Sequence, residues 1–213
     1  MSCIEQRLLL RYIYVRFNKD FFAGEAMRKF IVFFAGELFD HKHLTGNQML
    51  AMQIGKVANG RFECFLPQDM DTDGLSFDEI RRKDLNALFN ADLALFNFDG
   101  GDADSGTVAE FIAAKSINKP AVLFRSDFRS AGDQEQLAPW NLMCSGYPNT
   151  ETLVVNSMQL YKSLSKQSPV ETIEAVHRHI AELLVDKFNA VLENAVTPAP
   201  EIMKSLRKSF ALD

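Results

Sequence analysis

Three carboxylates and three glycines lie between residues 99 and 106, a short stretch whose composition suits a catalytic loop. The loop follows an apolar run at 92–98 that is bounded by turn residues, as a buried parallel strand would be. A helix-like run comes next, and Ser105 or Thr107 can cap it. Glu110 then falls in the opening turns, where the helix dipole favours an ionised carboxylate. A carboxylate placed just beyond a strand end is positioned to act as a nucleophile.

Aspartate and glycine are also common turn and capping residues, so this loop alone does not establish catalysis. Other ligand-binding motifs are incomplete. Gly100-Gly101 lacks the spacing of a dinucleotide loop, and no Gly-x-Ser-x-Gly elbow occurs. Asp69 to Gly74 copies the opening of an EF-hand, but Ile80 stands where a bidentate glutamate is required. Because the histidines and cysteines lack metal-ligand spacing as well, we expect neither a metal nor another cofactor.

The composition, with 47% hydrophobic residues in 213, is consistent with a soluble enzyme and allows the chain to bury one good core. A net charge of −5 argues against nucleic acid or an anionic membrane as a partner. The three cysteines lie far apart, which fits a reducing compartment. The apolar run at 8–17 is interrupted by two arginines and precedes no cleavage site, so we expect a cytoplasmic protein.

Strand-like and helix-like segments alternate from Phe30 onward, which predicts an α/β fold. The expected architecture is a flavodoxin- or Rossmann-like doubly wound sheet of about five mostly parallel strands with flanking helices. The ligand crevice of such a sheet lies outside the carboxyl ends of its strands. The predicted strands are at about 30–35, 61–66, 92–98, 120–125 and 152–155, and the predicted helices at about 44–58, 76–90, 105–117 and 156–165. Gly36, Asp69, Asp104 and Arg125 follow strand ends in this arrangement.

Extra helices are expected at the C-terminal end of the chain. Apolar residues recur at spacings of three and four from Val170 to Ala195, which predicts a long amphipathic helix. Pro198 and Pro200 end it, and a short amphipathic segment follows. Packing of the long helix on its own domain is favoured over a dimer clamp or a lid, because surface helices usually bury their apolar stripe locally.

Four motifs in order between residues 30 and 145 resemble the nucleoside 2-deoxyribosyltransferase family. Asp104 to Glu110 is similar to its Asp-x-Gly-x-x-x-Glu signature, and Phe-Phe-Ala-Gly at 33–36 to its first strand and turn, usually Tyr-x-Ala-Gly. The segment at 80–85 is similar to the helix that carries a pocket Asp or Asn. The segment at 139–143 is similar to the Pro-x-Asn-Leu-Met of the family.

The resemblance implies a chemistry and a division of the chain. Glu110 would attack the anomeric carbon of a 2-deoxyribonucleoside, and a second nucleobase would then displace it with retained configuration. Asp104 is the first candidate for the acid that protonates the departing base, with Asp84 contacting base or sugar. The catalytic domain would span 27–167, with an N-terminal extension at 1–26 and a C-terminal helical extension at 168–213.

The resemblance also implies a binding site shared between subunits. Asn141 would reach the active site of a neighbouring subunit, so a dimer or dimer-based homo-oligomer is expected. Phe33 lacks the hydroxyl of the usual tyrosine, which Tyr147 could replace. Arg125, Asp127 and Arg129 resemble a charged loop of part of the family. The residues expected to bind the nucleoside or free base are Phe33, Gly36, Asp69, Gly106, Asn141 and Met143.

Two alternatives keep the same type of sheet. A hydrolase of 2-deoxynucleoside 5'-monophosphates or of a pyrimidine nucleotide would use water as the acceptor, but it must bind a phosphate. Glu37, in the turn after the first strand, would repel that phosphate. A non-enzymatic nucleotide sensor needs no nucleophile, so intact Asp104 and Glu110 weigh against it.

Overall fold

The computed structural model of the chain describes residues 28–100, 103–127, 142–166, 168–193, 195 and 198–212. Short apolar runs form the strands, and amphipathic segments form the helices between them. The strands are β1 (Phe30–Gly36), β2 (Phe62–Phe65), β3 (Leu93–Asn97), β4 (Ala121–Arg125) and β5 (Thr150–Val154). The helices are α1 (His41–Val57), α2 (Phe77–Asn90), α3 (Ser105–Ser116), α4 (Ser157–Leu164), α5 (Pro169–Glu193) and α6 (Pro200–Ser209).

All five strands are parallel, in the order β2-β1-β3-β4-β5. The chain moves outward from β1 to β2 and then returns to the other side of β1 as β3. This reversal is the topological switch point of a flavodoxin-like sheet, where ligands bind outside the strand ends. The predicted doubly wound α/β fold is therefore confirmed.

Helices cover both faces of the sheet and bury it. The first four residues of β3 and the whole of β4 are buried, as expected for parallel strands covered on both sides. One apolar cluster joins the sheet to α2, α3 and α6, and the other joins it to α1 and α5. Phe111 of α3 belongs to the first cluster and Phe188 of α5 to the second. The molecule is thus a three-layer α/β/α sandwich.

The C-terminal helices complete these two layers. α5 packs along α1 and buries Ile180, Leu184 and Phe188 at helical spacing, as its sequence pattern predicts. α6 lies over the other face, where Arg207 donates to Asn86 Oδ1 of α2 at 2.6 Å. Among the helices that the structure describes, none has both the length and the apolar composition to cross a bilayer. The division into a catalytic domain and two extensions stays a prediction.

Candidate active site

The switch point is formed by the close approach of the ends of β1 and β3. Gly36 pairs with Asn97 in the sheet register. A Cβ atom on Gly36 would lie 3.1 Å from Asn97 Cβ, so only glycine fits there without displacing its neighbour. Asn97 Oδ1 in turn accepts from the backbone N–H of Asp99 at 3.0 Å. This close packing explains why a glycine stands at the end of β1, beside the predicted crevice.

Asp104 is the residue that caps α3. Its Oδ2 accepts from the backbone N–H of Thr107 at 2.7 Å and from Thr107 Oγ1 at 2.9 Å. The expectation that Ser105 or Thr107 caps this helix is wrong, because Asp104 has the non-helical backbone and Thr107 is the donor. A Cβ on Gly106 would lie 3.1 Å from Asp104 Oδ2, so Gly106 leaves room for the capping carboxylate.

Asp84 and Glu110 lie in the middle of neighbouring helices, α2 and α3, which pack on the same face of the sheet. The position of α2 is fixed by a capping box at its start. Ser76 Oγ accepts from the N–H of Glu79, and Glu79 accepts from the N–H of Ser76. Leu85 and Phe111, next in sequence to the two carboxyls, are buried in one apolar cluster. The pair therefore lies beside this cluster, and both of its residues are half-buried.

The two carboxyl groups are in hydrogen-bonding contact, and their protonation is linked. Burial, together with the hydrogen bond and charge of Asp84 and the charge of Asp104, raises the pKa of Glu110 well above its usual range. Burial also raises the pKa of Asp84, although the hydrogen bond from Glu110 acts in the opposite direction. Asp84 Oδ1 is buried and receives no hydrogen bond from the described residues unless Glu110 is protonated. The arrangement therefore suits one proton shared by two carboxyls.

This protonation differs from the expectation that the helix dipole keeps Glu110 ionised. A helix N-terminus contributes about 0.3–1 kcal/mol to a nearby anion. One pKa unit corresponds to about 1.4 kcal/mol, so burial and a neighbouring carboxyl outweigh the dipole. A carboxyl pair that shares one proton can supply a nucleophile and an acid from the same site.

Phe33 is fully buried in the cluster that also contains Leu85 and Phe111. Its ring stacks on Phe65 with the centroids 5.9 Å apart. Phe33 therefore packs in the core and exposes no surface to a ligand in this structure. Tyr147 is half-buried and lies edge-on to Phe111, with the ring centroids 5.2 Å apart.

Two further predicted site residues, Asp69 and Met143, lie in short 3-10 helices. Asp69 ends a short 3-10 helix after the edge strand β2 and is exposed. The charges that raise the pKa of Glu110 are those of Asp84 and Asp104. Met143 is 69% exposed in a second 3-10 helix, Leu142–Cys144, that packs against α3. Asn141 lies outside the described residues, as does Arg129.

The turn after β1 carries a charged cluster. Glu37 Oε2 lies 3.3 Å from His43 Nε2, and His43 Nδ1 lies 3.2 Å from Asp40 Oδ1. Asp40 also caps α1 by accepting from the N–H groups of Lys42 and His43. Two carboxylates thus flank one histidine beside the carboxyl end of β1.

Sequence reasoning missed the role of Asp99 and gave Arg125 only a general one. Asp99 accepts from the N–H and the hydroxyl of Ser126, at the end of the neighbouring strand. Arg125 is 1% exposed and donates to the carbonyls of Phe98 and Gly100. The sequence feature that could have indicated a buried role for Arg125 is its place at the end of an otherwise apolar strand, Ala-Val-Leu-Phe-Arg.

Residues 32–164 match the family model described as nucleoside 2-deoxyribosyltransferase. No curated protein matches the chain. Solved structures are also similar to it, and three of them illustrate the range. A conserved protein from Enterococcus faecalis V583 shares 19% identity over 76% of this chain and 98% of its own, with a TM-score of 0.47.

Two further similar structures are 2-deoxyribosyltransferases. The one from Bacillus psychrosaccharolyticus shares 21% identity over 54% of this chain and 79% of its own, with a TM-score of 0.40. The one from Leishmania mexicana shares 19% identity over 57% of this chain and 89% of its own, with a TM-score of 0.42. Because the family model covers more than half of the sequence, the chain belongs to the nucleoside 2-deoxyribosyltransferase family and is a pentosyltransferase enzyme.

Proposed function

We propose that the protein exchanges the nucleobase of 2-deoxyribonucleosides through a covalent 2-deoxyribosyl intermediate on Glu110, with retention of configuration. The observation that carries the proposal is the hydrogen-bonding contact between the half-buried carboxyls of Asp84 and Glu110 on neighbouring helices. Breaking an N-glycosidic bond needs a nucleophile for the anomeric carbon and a proton for the departing base. With one proton between them, the ionised carboxyl of the pair supplies the nucleophile and the protonated carboxyl supplies the acid.

The proton balance assigns the roles of the pair. The reactive form arises when the shared proton moves from Glu110 to Asp84, which leaves Glu110 ionised. Glu110 forms a bond to the anomeric carbon while the bond from that carbon to the base nitrogen breaks, and Asp84 protonates that nitrogen. The entering base then returns a proton to Asp84 and attacks the anomeric carbon on the face opposite Glu110, so that the new bond to the base nitrogen forms while the bond to Glu110 breaks. Two inversions give overall retention.

Asp84 suits the acid role better than Asp104, which was the first candidate. Asp104 Oδ2 accepts two hydrogen bonds from Thr107 at the start of α3. A carboxylate engaged as an acceptor is poorly placed to donate a proton to a base. We assign Asp104 to the positioning of α3, with its negative charge also acting on Glu110.

The turn after β1 favours nucleosides over nucleotides. Glu37 and Asp40 place two carboxylates beside the end of β1, where a 5'-phosphate of a substrate in the crevice would meet them. Like charges at this position disfavour the phosphate. This observation supports nucleobase exchange over hydrolysis of 2-deoxynucleoside 5'-monophosphates.

The proposed assembly is a homo-oligomer in which Asn141 enters the site of a neighbouring subunit. Leu142 and Met143, which follow Asn141, are 61% and 69% exposed, as residues at a subunit contact would be in an isolated chain.

Base exchange would serve nucleoside salvage. The free thiols of Cys64 and Cys144 suit the cytoplasm.

The direct test incubates the protein with 2-deoxyinosine and free adenine and measures 2-deoxyadenosine by chromatography. The expected result is 2-deoxyadenosine formed together with hypoxanthine, and none with Glu110→Gln. Protein mass spectrometry without an acceptor base should find one added 2-deoxyribosyl group, absent in Glu110→Gln. Hypoxanthine and free 2-deoxyribose without any new nucleoside would contradict exchange in favour of hydrolysis.

A further inference from the structure

The ends of β3 and β4 are joined by side chains that do not belong to the carboxyl pair. Asp99, two residues after β3, accepts through Oδ1 from the backbone N–H groups of Ser126 and Asp127. Its Oδ2 accepts from Ser126 Oγ at 2.7 Å. One carboxylate therefore satisfies three donors on the segment that follows β4.

Arg125 makes the reciprocal connection from the end of β4. Its Nη1 donates to the carbonyl of Phe98 at 2.9 Å, and its Nη2 donates to the carbonyl of Gly100 at 3.1 Å. The carboxylate of Asp127 lies 3.9 Å from Nη2. We call Asp99, Arg125 and Ser126 the β3–β4 latch, because each strand end holds the backbone of the other.

The latch fixes a backbone that would otherwise be costly to hold. Arg125 is 1% exposed, and a buried guanidinium is tolerated only where acceptors meet it. Gly100 has φ = 120°, a conformation that residues with side chains rarely adopt, and its carbonyl is one of those acceptors. The loop after β3 is therefore held at Phe98, Asp99 and Gly100 together.

The latch lies close along the chain to the start of the catalytic helix. Asp104, the N-cap of α3, comes four residues after Gly100. Phe98, whose carbonyl accepts from Arg125, packs edge-on against Phe111 of α3 with the ring centroids 6.3 Å apart, so the latched segment contacts the helix directly. Glu110 lies on the same helix, with its carboxyl against Asp84.

We propose that the β3–β4 latch is a positioning element for the reaction, which sets the position of α3 and so holds Glu110 against Asp84 and the anomeric carbon. This inference rests on the proposed function and extends it to residues that touch no reacting atom. A misplacement of about 1 Å in a catalytic group costs about 100-fold in rate, so a modest loosening is measurable.

The test compares Asp99→Ala with Asp92→Ala as a matched control. Asp92 lies at the other end of β3, where its Oδ2 accepts from the N–H of Ile31 at 2.8 Å and its Oδ1 from Arg28 Nη2 at 3.1 Å. Both substitutions remove a carboxylate that bonds a neighbouring backbone, but only one removes it from the latch. Single-turnover release of hypoxanthine from 2-deoxyinosine is measured together with thermal unfolding.

The expected result is a loss of tenfold or more in single-turnover rate for Asp99→Ala, with the KM changed less than threefold. Asp92→Ala should keep its rate within threefold while its unfolding temperature falls by a similar amount. Asp99→Asn should recover most of the rate, because the amide oxygen can accept the two N–H bonds and the amide nitrogen can donate to Ser126 Oγ. Equal rate losses in Asp99→Ala and Asp92→Ala, following their unfolding temperatures, would overturn the proposal.

A second readout needs no activity, so it separates the latch from the proposed function. The Glu110 carboxyl is titrated by carbon NMR, with its signal assigned by its loss in Glu110→Gln. Loosening of α3 in Asp99→Ala should lower the pKa of Glu110 towards its ordinary value, whereas Asp92→Ala should leave it unchanged. The same Glu110 titration in Asp99→Ala as in the parent protein would overturn the latch, whether or not base exchange is observed.

Discussion

The carboxyl group of Glu110 on α3 makes a hydrogen-bonding contact with that of Asp84 on α2, and both residues are half-buried. Side-chain caps hold the first turns of both helices. Ser76 and Glu79 form a capping box at the start of α2, and Asp104 caps α3. The contact between the two carboxyls raises the pKa of Glu110 and leaves the pair suited to one proton. Stability, chemistry and pH dependence should therefore all respond to changes at these two residues.

The first prediction concerns stability against pH. Burial and Asp84 raise the pKa of Glu110 in the folded chain, so the folded chain binds more protons than the unfolded chain above about pH 4.3. The free energy of unfolding should then fall as pH rises above this value. Glu110→Gln should remove much of this fall and be more stable than the parent at pH 8, by thermal unfolding. Glu174→Gln, at an exposed position of α5, should keep the parental pH profile.

The second prediction distinguishes the acid from its neighbours. Asp84→Asn should lower exchange from 2-deoxyinosine by about 10²–10⁴-fold, the usual contribution of general acid catalysis. The loss should be much smaller with 7-methyl-2-deoxyguanosine, because its base already carries a positive charge and departs without a proton. Equal losses with both substrates, measured by base release, would contradict the assignment of Asp84 as the acid.

The third prediction concerns Asp104 as a helix cap. Asp104→Ala should lower the free energy of unfolding by about 1 kcal/mol, because the N–H of Thr107 loses its acceptor. Asp104→Ser keeps a capping oxygen but cannot act as an acid, so it should retain most of the stability. Chemical denaturation gives the two free energies. If Asp104→Ser also keeps exchange within about tenfold of the parent, the carboxylate of Asp104 is not the acid.

The fourth prediction concerns discrimination against phosphate. Glu37→Gln should raise kcat/KM for 2-deoxyinosine 5'-monophosphate relative to 2-deoxyinosine, since one of the two carboxylates beside β1 loses its charge. Added salt should reduce the parental preference for the nucleoside in part, because exposed charges are screened. Glu63→Gln is the control, because Glu63 is exposed in the middle of β2. A parental protein that prefers the monophosphate would contradict the electrostatic argument.

The order of the strands and helices follows from local patterns, but the site does not. Apolar runs at β3 and β4 and the prolines that begin α5 and α6 mark the elements within a few residues. The cap of α3 was misassigned because aspartate, serine and threonine all cap helices well, and backbone geometry decides among them. The protonation of Glu110 depends on Asp84 in another helix, and the latch joins residues 27 apart, so neither has a local signal.

The last prediction tests whether the sites are shared between subunits. A hybrid dimer of Asn141→Ala and Glu110→Gln chains contains one site in which Glu110 and the proposed Asn141 of the neighbour are both intact. Equal mixing of these inactive chains should therefore restore about a quarter of the parental exchange rate, given random pairing. Glu110→Gln mixed with Asp84→Asn is the control and should stay inactive, because both residues come from one chain. Subunit exchange is verified by native mass spectrometry. Inactivity of the Asn141→Ala and Glu110→Gln mixture despite exchange would place Asn141 in the site of its own chain.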